Sequence, residues 1–391
     1  MTAVLAGVSS ALEAGRREGI APALSAAVRV RGALVHASWH GEIPAPGPRP
    51  LRDGDLFDVA SLTKPVATGA LAAQLAAEGR LELDAPVAAR LPAFAAAGKE
   101  RVTVRQLLAH SSGLPAWRPW FERAAADPVA GAAFLPPEGR PRGAALRAAL
   151  GRGKEIVRAC ACAEPLEAAP GARARYGDPG FIALGLLLEE ILGEPLSRAA
   201  ERRVFAPLGL TSTFFLDGLD PEGAAARAGA RAFAPARWSA ARREAIQGAV
   251  DDDNAWAMGG ASGHAGVFST ATEIAALGQD WLEALAGRPS VVPARVAEAF
   301  VRRDPTPGSG RALGWDTPTG ETSLGTRLGR GPLGAVGHLG FTGCSLWIDR
   351  DAEVVCALLT NHCHPAGIDA ERIRGFRRRF HDAVAEEMGI G

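Results

Sequence analysis

Strand-like runs stand at both ends of this 391-residue chain, and almost everything between them reads as helix and loop. Leu24 to Val30 and Ala33 to Trp39 flank Arg31-Gly32, a dipeptide suited to a hairpin turn. Near the other end, Ala335 to Gly340, Cys344 to Asp349 and Val354 to Thr360 follow one another with short turns. Ala370 to Met388 then has the pattern of a closing helix. Strands so far apart in sequence can pair only if the two ends of the chain meet. The pattern therefore predicts an α/β (α+β) fold, with one antiparallel sheet built from both termini and flanked by helices. Residues 1–60 and 261–391 are expected to form this sheet-containing domain, and residues 61–260 an inserted, mostly helical one. In the insert, Thr63 to Glu78, Val102 to Ala109 and Pro179 to Leu192 are the clearest helices. Leu135 to Arg142 and Leu216 to Ala240 read as loops or lids.

Charge and composition narrow the function. Hydrophobic residues make up 47% and charged residues 22%, a globular balance with ample material for a core. Basic and acidic residues number 43 each, so no bulk field gathers nucleic acid or an anionic membrane, and neither is expected as a partner. The run Arg377-Arg378-Arg379 is expected on a solvated helix face. No stretch approaches the ~18 apolar residues that span a bilayer. Met1 to Gly19 reads as an amphipathic helix rather than an export signal. Five cysteines, an odd number in a long chain, argue against a disulfide framework and for the cytoplasm.

The rare side chains carry the chemistry. Lysine occurs only at 64, 99 and 154 among 43 basic residues, and tyrosine only at 176. Ser61-Leu62-Thr63-Lys64 is a Ser-x-x-Lys motif, and a helix beginning at Ser61 places Lys64 one turn away on the same face. Pro65 fits only near a helix start. A helix N-terminus also favours an oxyanion at the serine. Lysine can act as a base when burial or neighbouring charge lowers its pKa, whereas arginine cannot. Tyr176-Gly177-Asp178 precedes the Pro179 helix. A phenol is a competent base only as phenolate, which needs cationic neighbours such as Lys64. His338-Leu339-Gly340-Phe341 lies on a predicted strand, where Gly340 permits close backbone approach.

Together these stretches resemble the penicillin-recognising serine hydrolases: class C β-lactamases, D-alanyl-D-alanine carboxypeptidases and family VIII carboxylesterases. Their order is Ser-x-x-Lys, Tyr-x-Asn, then Lys/His-x-Gly. The phrases LLAHSSGLP (Leu107 to Pro115), PGARARYGDPGFIALG (Pro170 to Gly185), GHAGVFST (Gly263 to Thr270) and GHLGFTGCSLWID (Gly337 to Asp349) are similar too. The resemblance implies an active site at the domain interface, with Ser61 as nucleophile and an acyl-enzyme intermediate. It implies that Lys64 and Tyr176 share the proton transfers, that the N–H groups of Ser61 and Phe341 form the oxyanion hole, and that no cofactor or metal is needed.

Two departures from the family pattern stand out, one beside Lys64 and one in the third motif. Asp178 stands where the family has Asn, and a carboxylate beside Lys64 favours its ammonium form. Leu339 replaces a hydroxyl residue that contacts the substrate carboxylate, and His338 in place of lysine weakens the anionic anchor. The changes at 339 and 338 point away from β-lactams and D-Ala-D-Ala termini and toward neutral small-molecule esters or amides. Rival readings are a β-lactamase or D-amino acid peptidase, and a non-catalytic binding or sensor module. Trp117 and Trp120 are expected to line an acyl pocket, and His264 to be structural. Gly329-Arg-Gly331-Pro-Leu-Gly334 precedes a strand rather than following one, so it is not read as a dinucleotide loop. His362-Cys363-His364 and Cys160/Cys162 lack a convincing four-ligand metal spacing. The oligomeric state is left open.

Overall fold

The computed structural model describes residues 5–44, 47–319 and 322–391; Met1 to Val4 of the expected first helix lie outside them. Its principal sheet has six antiparallel strands in the spatial order Arg49–Pro50, Ala33–Ile43, Ala23–Val30, Val354–Thr360, Ser345–Asp349 and Ala335–Leu339. The two ends of the chain meet at its centre, where Leu24 lies opposite Thr360 and Val30 opposite Val354. The hairpin closes at Arg31 (φ 48°) and Gly32 (φ 85°), two successive left-handed residues, which is the turn that matches strand twist.

Alternation along the strands sends side chains to two cores. Leu24, Val28, Val354, Cys356 and Leu358 pack with Val8 and Leu12 of the helix Ala6–Arg17 and with Phe376, Phe380 and Val384 of the helix Ala370–Glu387. Ala27, Leu346, Val355 and Leu359 face the helix Ala271–Leu285. Gly278 lets that helix lie close, since a Cβ there would stand 2.6 Å from Val355 Cγ1. The same core continues into the helical region, whose helix Pro179–Leu192 is buried along most of its length, as its nearly all-round apolar sequence requires. A three-stranded sheet, Phe57–Asp58, Val267–Ser269 and Phe214–Phe215, leads directly into the Ser61 turn.

Several local expectations change. The helix expected from Val102 begins at Val104 because Thr103 is its N-cap, in a capping box with Gln106. Leu216 to Ala240 is not all loop: it holds the helix Pro221–Ala228, whose first turn is capped by the Asp220 side chain, and the short strand Trp238–Ser239. Arg377 is buried, not solvated. Its guanidinium donates to the carbonyls of Gly340, Gly343 and Cys344, so it fastens the turn that carries Phe341. Among the described residues, no helix is long and apolar enough to cross a membrane.

Candidate active site

Ser61 sits in a single 3₁₀ turn, Ala60–Leu62, followed by a π-helical stretch, Lys64–Gly69, before the α-helix Ala70–Ala77. The predicted helix is thus present, with its first turns tightened and then widened. In a 3₁₀ turn residues three apart eclipse one another, which stacks Lys64 over Ser61; π-turns recur at functional sites. Ala60 enters the turn at φ 49°, a conformation costly for a residue with a Cβ. Its N–H is held by Asp58 Oδ1 at 2.8 Å, and the other Asp58 oxygen accepts the Asp251 N–H at 2.6 Å. Burial, with Asp251 nearby, pushes the Asp58 carboxyl up to about 7.

Lys64 is fully buried, and its Nζ donates to Ser61 Oγ at 2.8 Å, Tyr176 Oη at 2.9 Å and Asp178 Oδ1 at 2.8 Å. These three acceptors match the three protons of an ammonium. The His264 carbonyl lies at 3.4 Å. Burial alone would pull the lysine pKa down, but Asp178 and Tyr176 outweigh it and hold the group above its ordinary value. Asp178 occupies the N-cap of the helix Pro179–Leu192, yet its carboxylate caps no N–H of that helix and turns to Lys64 instead. The segment bearing Tyr176 is laced to the LLAHSSGLP loop: Arg175 N–H donates to the His110 carbonyl, Gly177 N–H to His110 Nδ1 and Asp178 N–H to the Ala116 carbonyl. Gly177 is required there, because a Cβ would stand 2.8 Å from the carbonyls of Pro115 and Ala116.

The Tyr176 ring lies between two histidines and an arginine. His110 and His338 have ring centroids 4.7 and 5.7 Å from it, and Arg311 Cζ is 4.7 Å from its centroid. Burial, reinforced by Arg311 and Lys64, holds both imidazoles well below their ordinary pKa and therefore neutral. His338 is buried, with Nδ1 at 2.9 Å from the Leu339 carbonyl.

In front of Ser61 opens a cavity of about 920 Å³. Trp117, Phe121 and Phe341 supply apolar wall, while Asp178, Asp252 and His264 line the same cavity as Ser61. Trp117 and Phe341 are largely exposed, but Trp120 is core, its Nε1 donating to Glu164; the pocket role expected for Trp120 is not met. Gly340 approaches Val59 rather than a ligand: a Cβ would stand 2.6 Å from the Val59 carbonyl, two residues before Ser61. Gly340→Ala is accordingly expected to displace the Phe341 strand end from Ser61 and lower kcat by about 10- to 100-fold, measured on a p-nitrophenyl ester.

A family model for β-lactamase matches residues 8–376. The chain belongs to the β-lactamase family. A protein of Escherichia coli (strain K12) named as a D-alanyl-D-alanine carboxypeptidase is 31% identical over 350 residues, covering 85% of this chain and 75% of its own. An N-acetylmuramyl-L-alanine amidase of Bacillus subtilis (strain 168) is 31% identical over 341 residues, covering 83% and 72%. Among solved structures, EstCE1, a hydrolase with promiscuous acyltransferase activity, superposes with a TM-score of 0.70 at 23% identity, over 97% of this chain and 98% of that one. A family VIII carboxylesterase gives 0.68 at 22% identity, over 99% of both chains. This β-lactamase-family chain is a serine hydrolase with the mixed α/β fold of its neighbours.

As a β-lactamase-family site it departs from the sequence expectation in what surrounds the motifs. Ser61, Lys64, Tyr176 and Asp178 come together. Phe341 and Trp117 reach the cavity, while His338 stays behind Tyr176 as a buried neutral ring. Sequence reasoning missed Asp252, Asp58 and Arg311, and it undervalued His264. His264 Nε2 lies 2.9 Å from Asp252 Oδ1, its Nδ1 lies 2.9 Å from Ser262 Oγ, and its carbonyl faces Lys64. Burial opposes charge on Asp252, yet His264, the Ala255 N–H and Lys64 outweigh it and hold this carboxyl below its ordinary range. Asp178, Asp252 and His264 bring potential donor atoms within 4.8 Å of one another. Both imidazole nitrogens are already engaged, however, and Lys64 holds Asp178, so the trio lacks the free nitrogen of a metal site.

Proposed function

We propose that the chain hydrolyses neutral carboxylic esters or amides through an acyl-enzyme on Ser61. The observation that carries this reading is the single buried ammonium bound to Ser61 Oγ, Tyr176 Oη and Asp178 at once. Because Ser61 Oγ accepts from Lys64, its own proton is directed elsewhere, and the Tyr176 oxygen, in its phenolate form beside the Lys64 ammonium, is the group assigned to take it. Serine then attacks the carbonyl carbon, and the N–H groups of Ser61 and Phe341 receive the oxyanion. The flanking amides are committed elsewhere, Ala60 to Asp58 and Gly340 to the Cys344 carbonyl. The proton passes from Tyr176 to the leaving group, and a water repeats the sequence on the acyl-enzyme.

The neutral-substrate preference is supported by the charge around the cavity. Arg237, which lines it, is bound to Asp251 and Asp253, and Arg311 is paired with Asp316. With His338 buried and neutral, none of these groups offers a free cation to a substrate carboxylate. The carboxypeptidase and amidase names of the relatives both denote amide cleavage, which supports amides beside esters. The five unpaired, buried cysteines support a cytoplasmic location. Short-chain p-nitrophenyl esters compared with a chromogenic cephalosporin test the substrate class. The esters are expected to give the higher kcat/KM, and faster cephalosporin turnover would replace this reading with the β-lactamase one.

The Asp178→Asn variant tests the charge relay. Without the carboxylate, burial dominates at Lys64 and its pKa falls, so the ammonium is lost at lower pH. The alkaline limb of the kcat/KM profile is therefore expected to move to lower pH. An unchanged profile would place Asp178 outside the titrating network.

A further inference from the structure

Apart from the exposed Glu122, the cavity carboxylates are not all equally occupied. Asp251 and Asp253 are taken up by Arg237, Asp253 also by the buried Arg242, and Asp58 by two backbone N–H groups. Asp252 and Asp178 differ. Asp252 Oδ1 accepts from His264 and from the Ala255 N–H at 2.7 Å, and Asp178 Oδ1 from Lys64. The second oxygen of each carboxylate has no hydrogen bond among the described residues, and both residues line the cavity beside Ser61. Their side chains approach within 4.8 Å of one another, yet among the described residues Lys64 is the one lysine or arginine bonded to either. A second cation between them would alternate charge, two carboxylates with two ammonium groups.

We propose that this position takes the protonated α-amino group of the substrate, making the enzyme selective for α-amino acyl esters and amides. The inference rests on the hydrolase reading above and refines its substrate class: the substrate still needs no carboxylate, but its acyl group carries a cation. Geometry sets the α position. Ser61 Oγ and Asp178 Oδ1 each lie 2.8 Å from Lys64 Nζ, so they are at most about 5.6 Å apart. A carbonyl carbon poised for attack lies ~3–3.5 Å from Oγ, and an α-nitrogen stands two bonds of ~1.5 Å beyond it. The amine of an aminoacyl group can therefore come within hydrogen-bond reach of this carboxylate pair, with the wall of Trp117, Phe121 and Phe341 in the same cavity for its side chain. Asp252 is the specificity-determining residue in this arrangement. It is pinned by His264 and by its own role as N-cap of the helix Asp253–Ala257. A metal ion at the same place would need a nitrogen that His264 has already committed.

The test compares matched pairs that differ only in the amine: alanine p-nitroanilide with propionyl p-nitroanilide, and alanine benzyl ester with benzyl propionate, alanine in both enantiomers. At pH 7 the amino substrate is expected to show at least about tenfold higher kcat/KM, the scale of a hydrogen bond between charged groups. This ratio is expected to fall toward one as pH rises through the α-amine pKa of about 8, and to shrink in Asp252→Asn, which retains a capping side chain. A ratio at or below one at pH 7, or one unchanged between pH 7 and about 9.5, overturns the inference even if the variant misfolds. Hydrolysis of the propionyl substrates at equal rate sinks this inference alone. No hydrolysis of any of them, with no fluorophosphonate adduct on Ser61, sinks the hydrolase reading with it.

Discussion

Lys64→Arg is expected to lower kcat on a short-chain ester by about three orders of magnitude, within the range that positioned acid–base groups supply. The substitution keeps a positive charge, so it separates charge from geometry and proton exchange. Three oxygens surround a compact, fully buried Nζ at 2.8–2.9 Å. A planar guanidinium is wider, spreads its donors in a fixed fork, and does not release a proton at accessible pH. Single-turnover kinetics, with thermal unfolding to confirm the fold, measure the effect. A loss below tenfold would show that the reaction needs only a cation at position 64.

Tyr176→Phe is expected to cost about 10²- to 10⁴-fold in kcat while leaving KM much less affected. The ring contacts with His110, His338 and Arg311 are retained by phenylalanine, so the loss is confined to the oxygen. Lys64 then keeps Ser61 and Asp178 as acceptors, and Ser61 loses the oxygen assigned to its proton. Pre-steady-state release of p-nitrophenol reads acylation directly. A burst rate within threefold of the parent would move the proton transfer to Lys64 itself.

The sheet and the three motifs were legible because each rests on local pattern. Alternating strands at both ends have one way to pair, and the Ser61–Lys64 spacing needs only a helical turn. Lysine rarity was informative twice over. Lys99 is buried like Lys64, but its Nζ ties the carbonyls of Ala96, Cys162 and Glu164 together, a structural use of the same three-donor head. What stayed hidden depends on tertiary burial. Asp251-Asp252-Asp253 carries no local mark of its use, yet the fold brings all three to the cavity wall and divides them into two arginine-bound carboxylates and one bonded to His264. Trp117 and Trp120 are three residues apart, yet Trp117 lines the cavity and Trp120 is buried with its Nε1 on Glu164. Arg377 looked like one of three solvated arginines until the turn carrying Phe341 supplied its acceptors.

The refinement lies in the partners of the serine. A carboxylate at 178 helps hold the Lys64 pKa above its ordinary value, and on the proposed mechanism this leaves proton uptake to Tyr176 and gives the lysine the task of stabilising negative charge on both oxygens. It also adds a carboxylate to the cavity wall beside Ser61.

Reaction with a fluorophosphonate probe, followed by peptide mass mapping, tests the central claim most directly. The predicted result is a single adduct on Ser61 in the parent protein and none in Ser61→Ala, with hydrolysis lost in parallel. An adduct on another residue, or a Ser61→Ala variant that still turns over substrate at the parent rate, would contradict it.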